Sequence, residues 1–302
     1  MYDIVIVGAG TAGLTAAIYA LRAGKTVLVL EAKSYGGQII NTPDIENYPG
    51  IKHISGFDFA TDLYNQAKAL GAEIKYEKVL SVADGGHNQK TVLTAKNSYA
   101  CKAVILATGA KNRPLGLEKE ESMVGAGVSY CATCDGAFFK GKEVAVVGGG
   151  NTAVEDAMFL SNYCSKVYLI HRRDSFRGEE KGVEALRKKE NVVFILNANV
   201  TALLGKYKLE GIEVTNKLDG SVQVLPVAGV FIAVGQMPEN SAFADVVTLD
   251  KAGYITAKED CLTGTEGVFT AGDCRTKAVR QLMTAAADGA VAALAACSCI
   301  DG

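Results

Sequence analysis

Residues 2–13 read YDIVIVGAGTAG, and this stretch decides the fold. Its first six residues form a near-continuous apolar run, the pattern of a parallel strand buried on both faces. The next six, Gly8-Ala9-Gly10-Thr11-Ala12-Gly13, carry the G-x-G-x-x-G spacing. Glycines there let the backbone approach a pyrophosphate, and the helix that follows offers free N–H groups and a favourable dipole. The stretch after Gly13 keeps apolar residues at helical spacing, with Gly24 as its stop. Thr26–Leu30 reads as a second strand, closed by Glu31, 18 residues after Gly13. The whole is one βαβ unit.

The same arrangement recurs later in the chain. Glu143–Val147 is an apolar strand, Gly148-Gly149-Gly150-Asn151-Thr152-Ala153 follows, and a helix runs to about Tyr163. The strand Lys166–Ile170 then ends at His171-Arg172-Arg173. A lone glycine motif is weak evidence, but here each copy follows a strand and opens a helix. The two units predict different ligands. Glu31 would accept hydrogen bonds from ribose hydroxyls and repel a 2′-phosphate, which suits FAD or NAD. Arg172, Arg173 and Arg177 around one strand end suit a 2′-phosphate, through bidentate charge-assisted bonds, and so NADP(H). The bland alternative for these arginines is a solvated charged face.

Lys102–Ala107, Val227–Val234 and Gly267–Thr270 read as further strands, ending in Thr108-Gly109, Gly235-Gln236-Met237-Pro238 and Ala271-Gly272-Asp273. Thr91–Thr94 and Gly211–Thr215 read as antiparallel hairpin strands. Crossings between domains are expected at about 110–116 and 239–248. The expected fold is therefore α/β, with two Rossmann-like dinucleotide-binding domains, the second inserted into a discontinuous first. Residues 1–113 and 246–302 form one domain and 114–245 the other.

Lys+Arg total 31 against Asp+Glu 33, a net charge of −2, so no positive excess drives nucleic-acid binding. The 49 % apolar and 21 % charged composition excludes a disordered chain. The first residues lack the basic start of a signal peptide. The Ala290–Cys297 run is shorter than the roughly 18 apolar residues of a membrane span. The expectation is a cytoplasmic protein with no membrane partner, whose eight cysteines are mostly reduced.

Residues 128–139 read VSYCATCDGAFF. The C-x-x-C pair Cys131 and Cys134 can close a small disulfide ring and exchange it by thiolate attack. Asp135 beside it can donate and accept a proton. The rival reading is half of a zinc site, but zinc needs four ligands, there is no second C-x-x-C, and the three histidines are isolated. The remaining six cysteines read as small buried hydrophobes. A second relay is the alternative for Cys297 and Cys299.

Together these residues resemble the low-molecular-weight thioredoxin reductases over the full length of the chain. The resemblance rests on GAGTAG (8–13), GGQ (36–38), ENYPG (46–50), SYCATCDGAFF (129–139), GGGNTA (148–153), HRRDSFR (171–177), GVFTAGD (267–273) and RQLMTAAADG (280–289). CATCDG is the most specific segment. The resemblance implies a homodimeric enzyme passing a hydride from NADPH to FAD, then reducing a Cys131–Cys134 disulfide, which reduces thioredoxin. Cys131, Cys134 and Asp135 would be catalytic, with Cys134 nearer the flavin. FAD would be held by Gly8, Gly10, Thr11, Ala12, Gly13, Glu31, Ala32, Gly37, Gln38, Asn47, Thr108, Gly109, Gly272, Asp273, Arg280, Gln281 and Leu282. NADPH would be held by Gly150, Asn151, Thr152, His171, Arg172, Arg173 and Arg177. No metal is implied. The inserted domain would swing between two poses about the crossings. Phe138 and Phe139 read equally as docking surface or as core.

Some positions depart from the family pattern. Thr11 stands where Pro is common, Tyr48 where Phe or Trp is, and Ala126 where a basic residue is frequent, which leaves the acceptor protein open. Three alternatives remain: ferredoxin as electron donor, a peroxiredoxin-type or glutaredoxin-like acceptor, and a flavin-loaded redox sensor without turnover. Intact GGGNTA and HRR argue against the first. The glycine motif at residue 8 leaves no N-terminal thioredoxin-like domain for self-contained peroxide reduction. A sensor would not need a 2′-phosphate site.

Overall fold

In the computed structural model, which describes residues 1–42 and 44–302, the strands are, in chain order, β1 (Tyr2–Val7), β2 (Val27–Glu31), β3 (Glu73–Tyr76), β4 (Val79–Asp84), β5 (Lys90–Thr94), β6 (Ser98–Leu106), β7 (Ala110–Asn112), β8 (Val128–Ser129), β9 (Glu143–Gly148), β10 (Lys166–Ile170), β11 (Val192–Ile195), β12 (Ala198–Leu204), β13 (Gly211–Asn216), β14 (Val222–Leu225), β15 (Gly229–Ala233), β16 (Gln236–Pro238) and β17 (Val268–Thr270). The α-helices are α1 (Thr11–Arg22), α2 (Gly56–Ala69), α3 (Ala132–Asp135), α4 (Asn151–Leu160), α5 (Glu180–Arg187) and α6 (Leu282–Asp301). The chain divides into one unit of Met1–Lys111 with Met237–Gly302, and another of Asn112–Gln236.

In the first unit β1 runs parallel between β2 and β6, with β3 beyond β2 and β17 parallel to the end of β6. The apolar run of β1 has a simple cause. Alternate residues point to opposite faces, and both faces are covered. Ile4 and Ile6 pack with Leu14 and Ile18 of α1 and with alanines of α6. Val5 and Val7 pack with Val104, Leu106 and Phe243 on the other side. α1 and α6 approach closely because Gly289 is bare: a Cβ there would meet the Ala12 carbonyl oxygen at 2.3 Å. β4 and β5 add an antiparallel extension to β6.

One helix departs from expectation. α6 spans 20 residues with a mean hydropathy of 1.6, long and apolar enough by length and composition to cross a membrane. The shorter Ala290–Cys297 run understated it. It buries one face, with Ala292, Ala293, Ala296 and Cys297 in the α1 cluster, and leaves Val291 and Leu294 exposed on the other. Near its start the carboxylate of buried Asp288 pairs with Arg275 and Lys277, each at 2.8 Å.

The second unit holds a parallel sheet in the order β11-β10-β9-β15-β8. α4 and α5 bury Val154, Ala157, Leu160, Val183 and Leu186 on one face. The antiparallel sheet β12-β13-β14 covers the other with Val200, Ile212, Val214 and Leu225. β7 and β16 pair where the chain crosses between units.

The return crossing lies earlier than the expected residue 245. Residues 237–245 group with the first unit because Asn240 is anchored there. Its side-chain amide donates to the carbonyls of Gly253 and Cys274, each at 2.9 Å, and its carbonyl oxygen accepts from Thr108 Oγ1 at 2.8 Å.

Candidate active site

Cys131 is the N-cap of α3, and Cys134 lies one turn later in it. One helical turn brings residues i and i+3 to the same side, and the two are joined as a disulfide with Cα atoms 5.3 Å apart. Ser129 organises the segment. Its hydroxyl donates to Asp135 Oδ2 at 2.6 Å and accepts from the Cys131 N–H at 3.1 Å. Burial pushes the Asp135 carboxyl above its ordinary range, and the Ser129 hydrogen bond pulls it partly back. A raised carboxyl holds its proton closer to neutral pH, as a donor to a leaving thiolate must. Gly136, just after α3, is required by close packing: a Cβ there would lie 2.2 Å from the Tyr163 hydroxyl oxygen. Phe139 packs edge-on against buried Phe231 at 5.3 Å between ring centres, so it is core. Phe138 is exposed.

In the first unit the glycine turn is built for close approach. Gly8 has φ +110°, and a Cβ on it would sit 2.3 Å from the Ala107 carbonyl oxygen. A Cβ on Gly13 would sit 1.9 Å from the Gly8 carbonyl oxygen. The N-terminus of α1 carries no side-chain cap, leaving its first N–H groups free for a ligand. Glu31 accepts from the N–H of Ala9 at 2.8 Å and of Lys33 at 2.9 Å, which fixes its carboxylate beside the turn.

Other expected residues gather around it. Gly37 approaches Gly10, and Gly272 sits against Ala12 at the start of α1. Gln38 donates to the Ala110 carbonyl at 3.3 Å, and Asn47 donates to Gln281 Oε1 at 3.3 Å. Arg280 lies over the Tyr254 ring at 4.1 Å and donates to the Asp273 carbonyl at 3.4 Å. Leu282 opens α6 beside Gln281. Gly109 has φ +66° at the turn after β6, and Ala32 is exposed after Glu31.

Asp273 supplies the test of fit for a nucleotide ligand. Its Oδ1 is buried without a hydrogen-bond partner among the described residues. Burial pushes this carboxyl up, while Lys277 and Arg280 pull it down. An unmet buried acceptor is costly, and a ligand hydroxyl would satisfy it. This acceptor therefore fits the hydroxyl-bearing chain of a flavin nucleotide.

In the second unit Gly150 caps α4 with its backbone alone. Gly149 is bare because the buried ring of His171 lies against it: a Cβ would meet His171 Cε1 at 2.0 Å. His171 stacks on Phe176 at 5.2 Å. Burial, aided by Arg172, Arg177 and Arg173, holds its imidazole below the usual range, against a backbone hydrogen bond at Ser175. It is thus neutral at pH 7. The backbone N–H of Arg177 donates to the Gly149 carbonyl at 2.7 Å, and Asn151 Oδ1 accepts from the Glu179 N–H at 2.8 Å, folding the arginine loop onto the turn beside Thr152. Arg172, Arg173 and Arg177 are exposed, and none pairs with a carboxylate among the described residues. Three unpaired guanidiniums beside an uncapped helix N-terminus fit a phosphorylated nucleotide.

Sequence reading passed over Ser129, Asn240, Arg275 and Asp288. Ser129 lies inside a quoted motif, but its link to Asp135 has no fixed spacing rule. The other three act through partners far along the chain.

The free cysteines are mostly sealed. Cys101, Cys164, Cys261, Cys274 and Cys297 are buried. Burial pushes the thiols of Cys101 and Cys261 up to about 12 and that of Cys164 up to about 11.

The model of the pyridine nucleotide-disulphide oxidoreductase family matches residues 2–289. A thioredoxin reductase of Listeria monocytogenes is 44 % identical over 293 residues, covering 97 % of this chain and 92 % of that one. A thioredoxin reductase of Bacillus subtilis is 40 % identical, covering 97 % and 93 %. The crystal structure of thioredoxin reductase from Streptococcus pyogenes superposes with a TM-score of 0.95 at 40 % identity, covering 100 % of this chain and 98 % of that one. The chain therefore belongs to the pyridine nucleotide-disulphide oxidoreductase family, among its thioredoxin reductases.

Proposed function

We propose that the chain is an NADPH-dependent thioredoxin-disulfide reductase carrying FAD, in the cytoplasm and as a homodimer. The observation that carries the reading is the Cys131–Cys134 disulfide, set beside Asp135, whose carboxyl burial pushes up, in a chain with two glycine turns opening uncapped helices. Glycine turn 8–13, Glu31, Asp273 and the loops around Gly37, Asn47 and Arg280 would hold the flavin. Gly150, Asn151, Thr152, His171 and the three arginines would hold NADPH. When bound, the two cofactors supply hydride transfer and the two electrons that open the disulfide.

The chain's own residues do the rest. The uncapped N-termini of α1 and α4 attract phosphates, and Glu31 excludes a 2′-phosphate from the first site while the arginines select it at the second. Ser129 holds Asp135 toward the cysteine turn, where it gives a proton to the departing sulfur. The other sulfur, left as the thiolate, attacks the disulfide of a thioredoxin, and the protonated thiol gives its proton back to Asp135 and resolves the mixed disulfide. The inserted domain is read as residues 112–236, with the crossings as its hinge.

The test is anaerobic stopped-flow of the yellow protein with NADPH and then NADH. Rapid bleaching by NADPH alone, followed by thioredoxin reduction, is expected. No bleaching by either nucleotide would overturn NADPH as donor.

A further inference from the structure

The redox segment is tied at both ends, and only one tie belongs to the mechanism above. The other is Glu120. Its side chain is 4 % exposed, and its oxygens accept four hydrogen bonds. Oε1 accepts from the Leu115 N–H at 2.9 Å and the Tyr130 hydroxyl at 2.7 Å. Oε2 accepts from the N–H groups of Gly116 at 2.8 Å and Leu117 at 3.1 Å. Tyr130 immediately precedes Cys131. The residue before Glu120, Lys119, has φ +68°, a conformation a side chain rarely adopts. Such strain persists only where surrounding contacts over-determine it. Here Glu120 is the anchor, since it gathers a strap of three successive backbone N–H groups and the tyrosine onto one carboxylate.

We propose that Glu120, acting through Tyr130, is a positioning residue that sets how readily the Cys131–Cys134 disulfide is reduced. Opening that disulfide with two equivalents of a monothiol takes up two electrons and two protons and leaves a dithiol plus the oxidised monothiol. The dithiol is favoured when its two sulfurs can separate. Tyr130 held by Glu120 on one side, and Asp135 held by Ser129 on the other, keep the two sulfurs together, which raises their effective concentration and favours the disulfide. The same tie joins the strap at 115–117, next to the proposed hinge, to the redox turn as one rigid piece. This second consequence rests on the thioredoxin reductase reading, whereas the first needs only the disulfide.

The test uses the flavin-loaded protein equilibrated anaerobically with reduced and oxidised glutathione, quenched by alkylation, with the peptide of residues 131–134 quantified by mass spectrometry. Tyr130→Phe removes one hydroxyl and keeps the ring. It should shift the equilibrium toward the dithiol by about three- to ten-fold, the partial loss of one hydrogen bond to a charged group. Ser122→Ala is the control: Ser122 bonds the Lys119 carbonyl in the same loop and does not touch the tie. It should leave the equilibrium where it is. A Tyr130→Phe equilibrium equal to that of the unaltered protein overturns the proposal, as does an equal shift in Ser122→Ala. Glutathione reports on the disulfide without NADPH or thioredoxin. Failure of NADPH to bleach the flavin would therefore sink the enzymatic reading while leaving this result intact.

Discussion

In the proposed function, Asp135 and the arginines after β10 concentrate most of the chemistry in a few side chains. Because burial raises the Asp135 carboxyl, its protonated form persists to higher pH than that of an ordinary aspartate, and its contribution as an acid fades as pH rises through that raised value. Asp135→Asn should slow thioredoxin reduction by about 10²-fold and flatten this fall, leaving flavin bleaching by NADPH intact. An unchanged pH–rate profile would remove Asp135 from proton transfer. Replacing Arg172 and Arg173 by alanine should weaken NADPH by roughly 1.5–3 kcal/mol per lost charged hydrogen bond while sparing NADH. The ratio of the two kcat/KM values reads this directly, and an unaltered ratio contradicts the phosphate assignment. Residues of this kind were legible because the chemistry dictates their spacing: two cysteines one turn apart, and arginines at the strand end of a βαβ unit. Ser129 and Glu120 were not, since a hydrogen-bonding partner chosen by the fold leaves no period in the sequence.

Two elements carry predictions of their own. The β9–α4 turn depends on bare Gly149, so Gly149→Ala must push the His171 ring away or tilt the turn. It should cost about 1–3 kcal/mol and raise the KM for NADPH, with flavin content unchanged. Thermal unfolding and cofactor titration together check both halves, and an intact KM would show that His171 can yield. In α6, Asp288 pairs with fully buried Arg275 at 2.8 Å, and Arg275 also reaches Glu259 at 3.0 Å. Asp288→Asn should cost about 3–5 kcal/mol, because it takes the buried counter-charge from Arg275 and Lys277 and leaves Arg275 only the exposed Glu259. Burial pushes the Asp288 carboxyl up, but Arg275 and Lys277 outweigh it, so the net direction is down. The stabilisation is therefore present above the unfolded carboxyl value near ~4 and is lost as pH falls toward the lower folded value. Acid unfolding of the variant should show a shallower pH dependence in that window. Strands such as β1 and β9 were legible because both faces are buried and, after Asp3 and Glu143, every residue is apolar. α6 was legible only in part. Its alanines give a weak amphipathic signal, and Asp288 and Gly289 interrupt the apolar run that it nonetheless continues. β14 escaped notice because Val222 and Val224 are exposed, so no inside–outside alternation marks it.

At the scale of the molecule, both crossings of the inserted unit pass through β7 and β16, which pair with each other. A segment whose entry and exit are neighbours can be excised without stretching its ends. Residues 112–236 expressed alone should unfold cooperatively in denaturant, keep the Cys131–Cys134 disulfide and bind 2′,5′-ADP without flavin. A fragment with no cooperative transition would show that this unit borrows its stability from the remainder. The two-unit architecture was legible because the same turn occurs twice. The return boundary was not, because Asn240 declares its allegiance only through Thr108, Gly253 and Cys274. The sealed cysteines have a consequence for life under oxidants. A thiol reacts as its thiolate, and burial that raises the pKa of a thiol also bars entry. Five of the six cysteines outside the redox pair are buried and so closed to entry. Peroxide or an electrophile should therefore mark the protein at the exchanging turn and at Cys299 long before the interior, so chemical injury registers first as lost turnover in a chain that is still folded.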